Sequence, residues 1–147
     1  MSKPLQFFIA GIIQGSLQDT SHPQDYRADI TTLLKEHFPD AEIFDPVVCY
    51  PDSLNYTDKD GSNAFFDLME RAGKVDIVIA FLPEASMGTA IELWNAYNSG
   101  ALVVCVTEMK KNWVVRFLSD LVVPDLESLK DVIASGELAA LFEETKL

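Results

Sequence analysis

One stretch near the middle of the chain constrains the fold more than any other. Two apolar runs, residues 77–82 and 102–106, flank a helix-length segment, residues 86–97, that is also largely apolar. Short apolar runs around such a segment are typical of a strand–helix–strand unit whose parallel strands are both buried. The stretch therefore predicts a parallel α/β sheet with this unit at its centre.

Glu92 is the only charged residue of that helix segment and of the second apolar run. A carboxylate on an apolar helix between buried strands is costly to desolvate, which makes Glu92 a candidate for chemistry. The alternative is a structural pair with an Arg or Lys elsewhere. Because Glu92 lies in the first turns of its helix, we expect the helix dipole to favour its ionised form.

An ionised carboxylate in this position is suited to attack the electrophilic carbon of an acetal or N-glycosidic bond. A second carboxylic acid is then needed to protonate the leaving group. Topology offers Asp67 and Asp76 for this role, and Asp76 is also a candidate substrate contact.

The rest of the chain alternates strand-like and helix-like segments. Strands are predicted at residues 5–10, 41–44, 77–82, 102–106 and 121–123, and helices at about 23–38, 62–73, 86–97, 113–118 and 126–134, followed by a final short helix. This alternation predicts a single α/β domain over residues 1–147, with a doubly wound parallel five-stranded sheet in the flavodoxin-like order 2-1-3-4-5. Residues 45–61 are expected to form a long loop, and Ser62 to cap the helix that follows.

In this strand order, the turn after the first strand faces the turn after the third strand across the ligand-binding crevice. The candidate substrate contacts in the first turn are Gly11, Ile12, Gln14, Gly15 and Ser16. A lone Gly-x-x-x-Gly pattern also fits a turn that only reverses the chain, and it matches neither a Walker loop nor a dinucleotide-binding pattern.

Across the crevice, the start of the central helix offers further contacts. Ser86 is a natural N-cap, and the free N–H groups beside it can hold an anion. Gly88 leaves room for a ligand to approach the backbone.

Composition excludes several other classes of protein. The formal net charge of −12 argues against binding to DNA or RNA, although a small anionic ligand is compatible with local N–H groups. Two cysteines and two histidines without clustering argue against a disulfide framework and a metal site. No apolar run reaches the roughly 18 residues of a membrane span, and no signal peptide is recognisable, so we expect a cytoplasmic protein.

Several of these residues together resemble a known family. Residues 66–68, residues 76–80 and the pattern Pro83-x-x-Ser86-x-Gly88-Thr89-x-x-Glu92-Leu93 are similar to motifs of the nucleoside 2-deoxyribosyltransferase superfamily. That superfamily includes the deoxynucleoside 5′-monophosphate N-hydrolases. The resemblance extends over residues 5–106.

The resemblance implies that Glu92 is the nucleophile that attacks C1′ of the sugar, and that Asp67 is the acid that assists departure of the base. It implies that Gly11 and the following turn line the sugar or phosphate pocket. Ser86 stands where the transferases usually carry an Asp and the monophosphate hydrolases a Ser, which favours a nucleotide substrate. It also implies a homo-oligomer, a dimer or larger, in which Asn112 of one subunit completes the site of its neighbour.

Two departures from the family pattern leave alternatives open. Phe7 stands where the family usually has a Tyr near the nucleophile, and Ile12 and Gln14 stand where the hydrolases have a Ser and an Arg. The leading prediction is an enzyme, without a cofactor, that moves a (deoxy)ribosyl group from a nucleoside or nucleotide to a base or water through a covalent glycosyl-Glu92 intermediate. The alternatives are a deoxynucleoside 5′-monophosphate N-hydrolase and a non-catalytic nucleotide-binding protein, and the departures at Phe7 and Ile12 favour the latter.

Overall fold

The computed structural model describes residues 3–13 and 23–145. Strands alternate with helices along this part of the chain. The strands are β1 Gln6–Gly11, β2 Glu42–Phe44, β3 Ile77–Phe81, β4 Leu102–Val106 and β5 Leu121–Val123. The helices are α1 Asp25–His37, α2 Pro46–Cys49, α3 Asp58–Ala72, α4 Met87–Ser99, α5 Trp113–Leu118, α6 Leu126–Ala134 and α7 Glu137–Thr145, with a 3₁₀ turn at Ser53–Asn55.

The five strands form one parallel sheet in the order β2-β1-β3-β4-β5. The predicted flavodoxin-like strand order is therefore confirmed. At the carboxyl edge, Gly11 of β1 is the register partner of Phe81 of β3, and Phe81 is in turn the partner of Val106 of β4. The turns that follow these three strands therefore meet at one edge of the sheet.

Each face of the sheet carries its own apolar core. Alternate residues of β3 point to opposite faces, so that Ile77 and Ile79 pack with α1, α6 and α7, whereas Val78 and Ala80 pack with α3, α4 and α5. Cys105 lies in the second core and is fully buried, as expected for a small apolar residue. None of the described helices has both the length and the apolarity needed to cross a membrane.

The segment predicted as a long loop is more ordered than its composition indicates. Asp45 caps the short helix α2 by accepting a hydrogen bond from the Val47 N–H at 3.0 Å. Helix α3 begins at Asp58, with Thr57 as its N-cap, so the predicted cap at Ser62 is wrong. The acidic residues of the first turn, which look like loop residues in the sequence, are stabilised there by the positive end of the helix.

Two carboxylates bind backbone N–H groups at the amino edge of the sheet. Asp76 Oδ2 accepts a hydrogen bond from the Gln6 N–H, and Asp120 Oδ2 accepts one from the Val103 N–H, both at 2.8 Å. Asp76 precedes β3, whereas ligands of parallel sheets bind beyond the carboxyl ends of the strands. The structure therefore does not bring Asp76 to the crevice, and its prediction as a substrate contact or catalytic acid is wrong.

The hydrogen bond between Asp76 and the start of β1 predicts a pair of stability changes. Asp76→Ala should lower the free energy of unfolding by about 1–2 kcal/mol, because it leaves the Gln6 N–H without its charged acceptor. Asp76→Asn keeps an acceptor oxygen and should lose less than half of that amount. Urea unfolding of both variants measures the difference, and equal losses would contradict the assignment.

Candidate active site

The candidate site lies where the chain leaves the middle of the sheet in two directions. The residues after β1 lead to α1 on one face, and those after β3 lead to α4 on the other. Such a switch point opens a crevice at the carboxyl edge. Glu92 on α4 and the first turn of α1 lie on its two sides.

Helix α4 begins as the sequence predicts and buries one face. Ser86 is its N-cap, and the Ser86 Oγ accepts a hydrogen bond from the Thr89 N–H at 3.2 Å. Thr89, Glu92 and Ala96, at spacings of three and four residues, are buried on the same face. The first turns of α4 thus carry a buried hydroxyl and a buried carboxyl group toward the sheet.

Burial decides the protonation of Glu92. Its side chain is 6% exposed, and no hydrogen bond to its carboxyl group is found within the described residues. Burial raises the pKa of Glu92 from the usual 4.5 to about 8, although the positive charge of Arg27 acts in the opposite direction. The prediction that Glu92 is ionised is therefore wrong for the unliganded protein at neutral pH, because desolvation outweighs the help from the helix start.

Arg27 is a charged group of the crevice that the sequence analysis missed. It is 2% exposed, and its guanidinium donates hydrogen bonds to the carbonyl oxygens of Ile9 at 2.9 Å and Gly11 at 3.2 Å. The same group forms an ion pair with Asp45 at 3.2 Å and a hydrogen bond to the Gln24 side chain at 2.6 Å. A cation is thus fixed at the end of β1, already paired with a carboxylate.

The spacing of residues along α1 indicates that Arg27 is buried. Residues 27, 30 and 34 are three and four positions apart, so Arg27 continues the buried face formed by Ile30 and Leu34. A basic residue on a buried helix face needs an acidic partner. Its partner Asp45 is 18 positions away in the sequence, and only the folded chain identifies it.

Tyr26 fills the space next to Gly11. The Tyr26 ring packs against Phe81, with 4.5 Å between the ring centroids, and a Cβ atom at Gly11 would lie 2.0 Å from the Tyr26 hydroxyl oxygen. Gly11 is predicted to line the substrate pocket, and in the structure the Tyr26 hydroxyl occupies the space beside it. Within the described residues this buried hydroxyl has no hydrogen-bond partner.

The pKa of Tyr26 depends on the neighbouring charged groups. Burial raises its pKa to about 12, Arg27 lowers it, and the negative charges of Asp45 and Glu92 raise it further. Tyr26 therefore stays protonated at neutral pH and is available as a hydrogen-bond donor.

The remaining predicted contacts of this chain are placed as follows. Ile12 is 1% exposed in the α4-side core, so its side chain lines no open pocket, and its carbonyl oxygen accepts a hydrogen bond from the Gln24 side chain. Gly88 has open space where a Cβ would stand. Asn112 is exposed and caps α5 by accepting a hydrogen bond from the Val114 N–H at 2.9 Å. Gln14, Gly15 and Ser16 lie outside the described residues.

Asp67 lies on α3 with two hydrogen-bond donors. The Tyr50 hydroxyl donates to its carboxylate, and Arg71 Nε, one helical turn further along α3, donates to the same oxygen at 2.9 Å. The Tyr50 hydrogen bond, followed by the Arg71 contacts, lowers the pKa of Asp67. Within residues 3–13 and 23–145 no hydrogen bond joins Asp67 to Glu92. The two carboxyl groups thus differ in protonation: Asp67 is ionised, whereas Glu92 is protonated.

Comparison with solved structures identifies proteins with the same architecture. A conserved protein from Enterococcus faecalis V583 superposes with a TM-score of 0.65 at 18% sequence identity, over 90% of this chain and 99% of that chain. A 2-deoxyribosyltransferase from the psychrotolerant bacterium Bacillus psychrosaccharolyticus superposes with a TM-score of 0.65 at 15% identity, over 86% of this chain and 90% of that chain. The chain shares the fold of a 2-deoxyribosyltransferase. No family model matches the sequence, and no curated protein matches it.

The raised pKa of Glu92 predicts how stability depends on pH. Below pH 4.5 the carboxyl group is protonated in both the folded and the unfolded chain. As the pH rises toward 8, the unfolded chain loses this proton first, so the wild-type protein should lose on the order of 2–3 kcal/mol of unfolding free energy between pH 5 and pH 7 from this group.

The Glu92→Gln variant has no proton to lose at this position and should lack that contribution. Urea unfolding of the wild-type protein and the variant at several pH values measures the contribution of Glu92 to the pH dependence of stability. The same slope of stability against pH in both proteins would contradict the raised pKa.

Proposed function

We propose that the chain is an enzyme of the nucleoside 2-deoxyribosyltransferase superfamily, which cleaves the N-glycosidic bond of a nucleoside or nucleotide. The observation that carries the proposal is the buried carboxyl group of Glu92 at the carboxyl edge of β1 and β3, for which the described residues supply no hydrogen-bond partner. Groups with strongly perturbed pKa values in a crevice are candidates for catalysis. The shared fold with a 2-deoxyribosyltransferase and the motif around Glu92 support the same chemistry.

In the proposed reaction, an ionised Glu92 oxygen attacks C1′ of the sugar. The C1′–N bond breaks, and the base leaves with the bonding electron pair and takes up a proton. The nitrogen of an acceptor base, or a water oxygen, then attacks C1′, gives up its proton and displaces the Glu92 carboxylate, which balances the proton taken up by the departing base. Charge is conserved at each step, and no cofactor is required.

The proton donor for the leaving base stays a prediction. Asp67 has this role by resemblance, but the hydrogen bonds from Tyr50 and Arg71 hold its pKa low. A group that holds its proton weakly is a poor general acid. Asp67 therefore acts as the donor only if the bound ligand displaces one of these two partners.

Hydrolysis of a deoxynucleoside 5′-monophosphate is the second candidate, and Ser86 is the observation that favours it. Its Oγ accepts a hydrogen bond from the Thr89 N–H, which leaves the hydroxyl hydrogen free to donate to a phosphate. The start of α4 carries no acidic residue that would repel the phosphate. Arg27 adds little to such a site because Asp45 already neutralises its charge.

We also propose that the protein forms a homo-oligomer through the outer surface of α4 and α5. These two helices contact each other. Their exposed large apolar side chains form a surface that we term the aromatic face: Met87, Ile91, Trp94, Tyr97, Trp113 and Phe117. The exposed positions of α4 carry no charged side chain, so two copies of a protein with a net charge of −12 can meet there without repulsion.

Base exchange and base release test the enzymatic proposal. The protein is incubated with deoxynucleosides or their 5′-monophosphates, with and without adenine as acceptor, and the products are separated by chromatography. Exchange that requires adenine would show transfer, and free base released from monophosphates alone would show hydrolysis. Nucleotide binding without either product would show that the chain is a binding protein.

The nucleophile is tested in the same assay by Glu92→Gln, which should lower turnover by at least about a thousandfold while the circular dichroism spectrum stays unchanged. Because burial raises the pKa of Glu92 to about 8, with Arg27 acting in the opposite direction and Tyr26 nearby, kcat/KM should rise nearly tenfold per pH unit between pH 6 and pH 7. Turnover retained by the variant, or independent of pH in this range, would contradict the assignment.

The oligomer is tested by light scattering after gel filtration. Trp94→Glu places a charge in the aromatic face and should convert the wild-type oligomer into a monomer. Lys130→Glu changes an exposed residue of α6 on the other side of the sheet and should leave the oligomer intact. A wild-type protein that elutes as a monomer would refute the proposal.

A further inference from the structure

Two buried hydroxyl groups have no hydrogen-bond partner among the described residues. In the part of the chain that the structure describes, the Tyr26 hydroxyl and the Thr89 Oγ1 are the buried side-chain nitrogen or oxygen atoms in this condition. The side chains are 6% and 1% exposed. Leaving a buried hydroxyl unpaired costs free energy, because water no longer supplies the hydrogen bond. Each such group therefore calls for an explanation.

Both hydroxyl groups lie beside Glu92. Thr89 precedes Glu92 by one helical turn on the same buried face of α4. Tyr26 approaches from α1, with its hydroxyl against Gly11 at the end of β1, and lies close enough to Glu92 that the ionised carboxylate would raise the Tyr26 pKa. Two different helices thus bring buried hydroxyl groups without a partner among the described residues to the neighbourhood of the candidate nucleophile.

Comparable hydroxyl groups elsewhere in the protein are paired. Thr107 is 4% exposed, and its Oγ1 accepts a hydrogen bond from the Met109 N–H at 3.1 Å. The hydroxyl of Tyr50, which is only partly buried, donates to Asp67. Among the described residues, the unpaired state is therefore confined to the two buried hydroxyl groups near Glu92.

The charges around the two hydroxyl groups indicate a neutral partner. The Arg27 cation is paired with Asp45, and Glu92 is protonated in the unliganded protein. A crevice wall without net charge, lined by groups that both donate and accept hydrogen bonds, suits the oxygen atoms of a sugar better than those of a phosphate.

We propose that the hydroxyl groups of Tyr26 and Thr89 bind oxygen atoms of the sugar whose C1′ is attacked by Glu92. This inference rests on the proposed function and adds two substrate-binding residues to it. The ligand supplies the missing hydrogen bonds. The free-energy penalty of burying the two hydroxyl groups without partners is therefore removed only in the complex. Binding then depends on the sugar and not on the base alone.

The first arm of the test measures stability without ligand. Tyr26→Phe and Thr89→Val each remove one unpaired oxygen while keeping the ring or the branched shape. Their urea midpoints should equal or exceed that of the wild-type protein. Thr107→Val removes a paired hydroxyl and serves as the matched control, and its midpoint should fall.

The second arm measures affinity by calorimetry in the Glu92→Gln background, where the probe is not consumed. The probes are 2′-deoxyadenosine, 2′-deoxycytidine and their 5′-monophosphates. Tyr26→Phe and Thr89→Val should each weaken binding of the best probe about three- to tenfold, the amount expected for one hydrogen bond. Thr107→Val should leave the affinity unchanged.

A double-mutant cycle then connects protein and sugar atoms. The nucleoside probe is replaced by its analogue lacking the 3′-hydroxyl or the 5′-hydroxyl. At least one of these analogues should lose affinity for the Glu92→Gln protein but not for the corresponding Tyr26→Phe or Thr89→Val variant.

The outcomes separate this inference from the proposed function. Variants with lowered urea midpoints and unchanged affinity would show that the two hydroxyl groups are structural and would overturn the inference alone. Affinity unchanged in both variants, with intact turnover by the wild-type protein, would overturn it as well. A wild-type protein that neither binds nor turns over any of the probes would overturn both proposals.

Discussion

The buried pair of Arg27 and Asp45 is the interaction on which the carboxyl edge of the sheet depends. The guanidinium binds the last carbonyl oxygens of β1, while Asp45 also caps the helix that follows β2. One ion pair therefore links α1, β1 and α2. Loss of either partner would leave a buried charge uncompensated, at a cost of about 3–5 kcal/mol. By fixing the first turn of α1, the pair also fixes Tyr26, which is adjacent to Arg27 and fills the space beside Gly11.

The same pair determines the charge state of the crevice. Because Asp45 neutralises Arg27, the attraction that remains for Glu92 is weaker than the desolvation penalty, and Glu92 holds its proton. A protonated acid needs no counter-ion, so the unliganded crevice tolerates it. A ligand that develops positive charge at C1′ would reverse the balance, since an ionised carboxylate stabilises that charge most strongly in a crevice without water. Protonation of Glu92 in the free protein is thus compatible with a nucleophilic role in the complex.

Short-range sequence patterns were enough to predict the sheet but not the whole site. Apolar runs and their alternation with helix-like segments predicted the five strands and their order, and the isolated charge of Glu92 identified the central candidate residue. Arg27 and Asp45 are separated by α1 and β2, and no local pattern joins them. The start of α3 was missed because Asp58 and Asp60 suit loops as well as helix starts. The protonation of Glu92 was missed because desolvation depends on the complete fold, whereas the helix dipole can be read from the local sequence.

The two edges of the sheet use similar polar groups in opposite ways. At the amino edge, Asp76 and Asp120 accept hydrogen bonds from the first N–H groups of neighbouring strands, so their charge stabilises the fold. At the carboxyl edge, the hydroxyl groups of Tyr26 and Thr89 are buried with no partner among the described residues, and Glu92 forms no ion pair with any of those residues. In a parallel sheet the carboxyl edge is where ligands bind. The paired groups of the amino edge stabilise the fold, whereas the unpaired groups of the carboxyl edge cost stability. This difference is expected when the groups at the carboxyl edge serve to bind a substrate rather than to stabilise the fold.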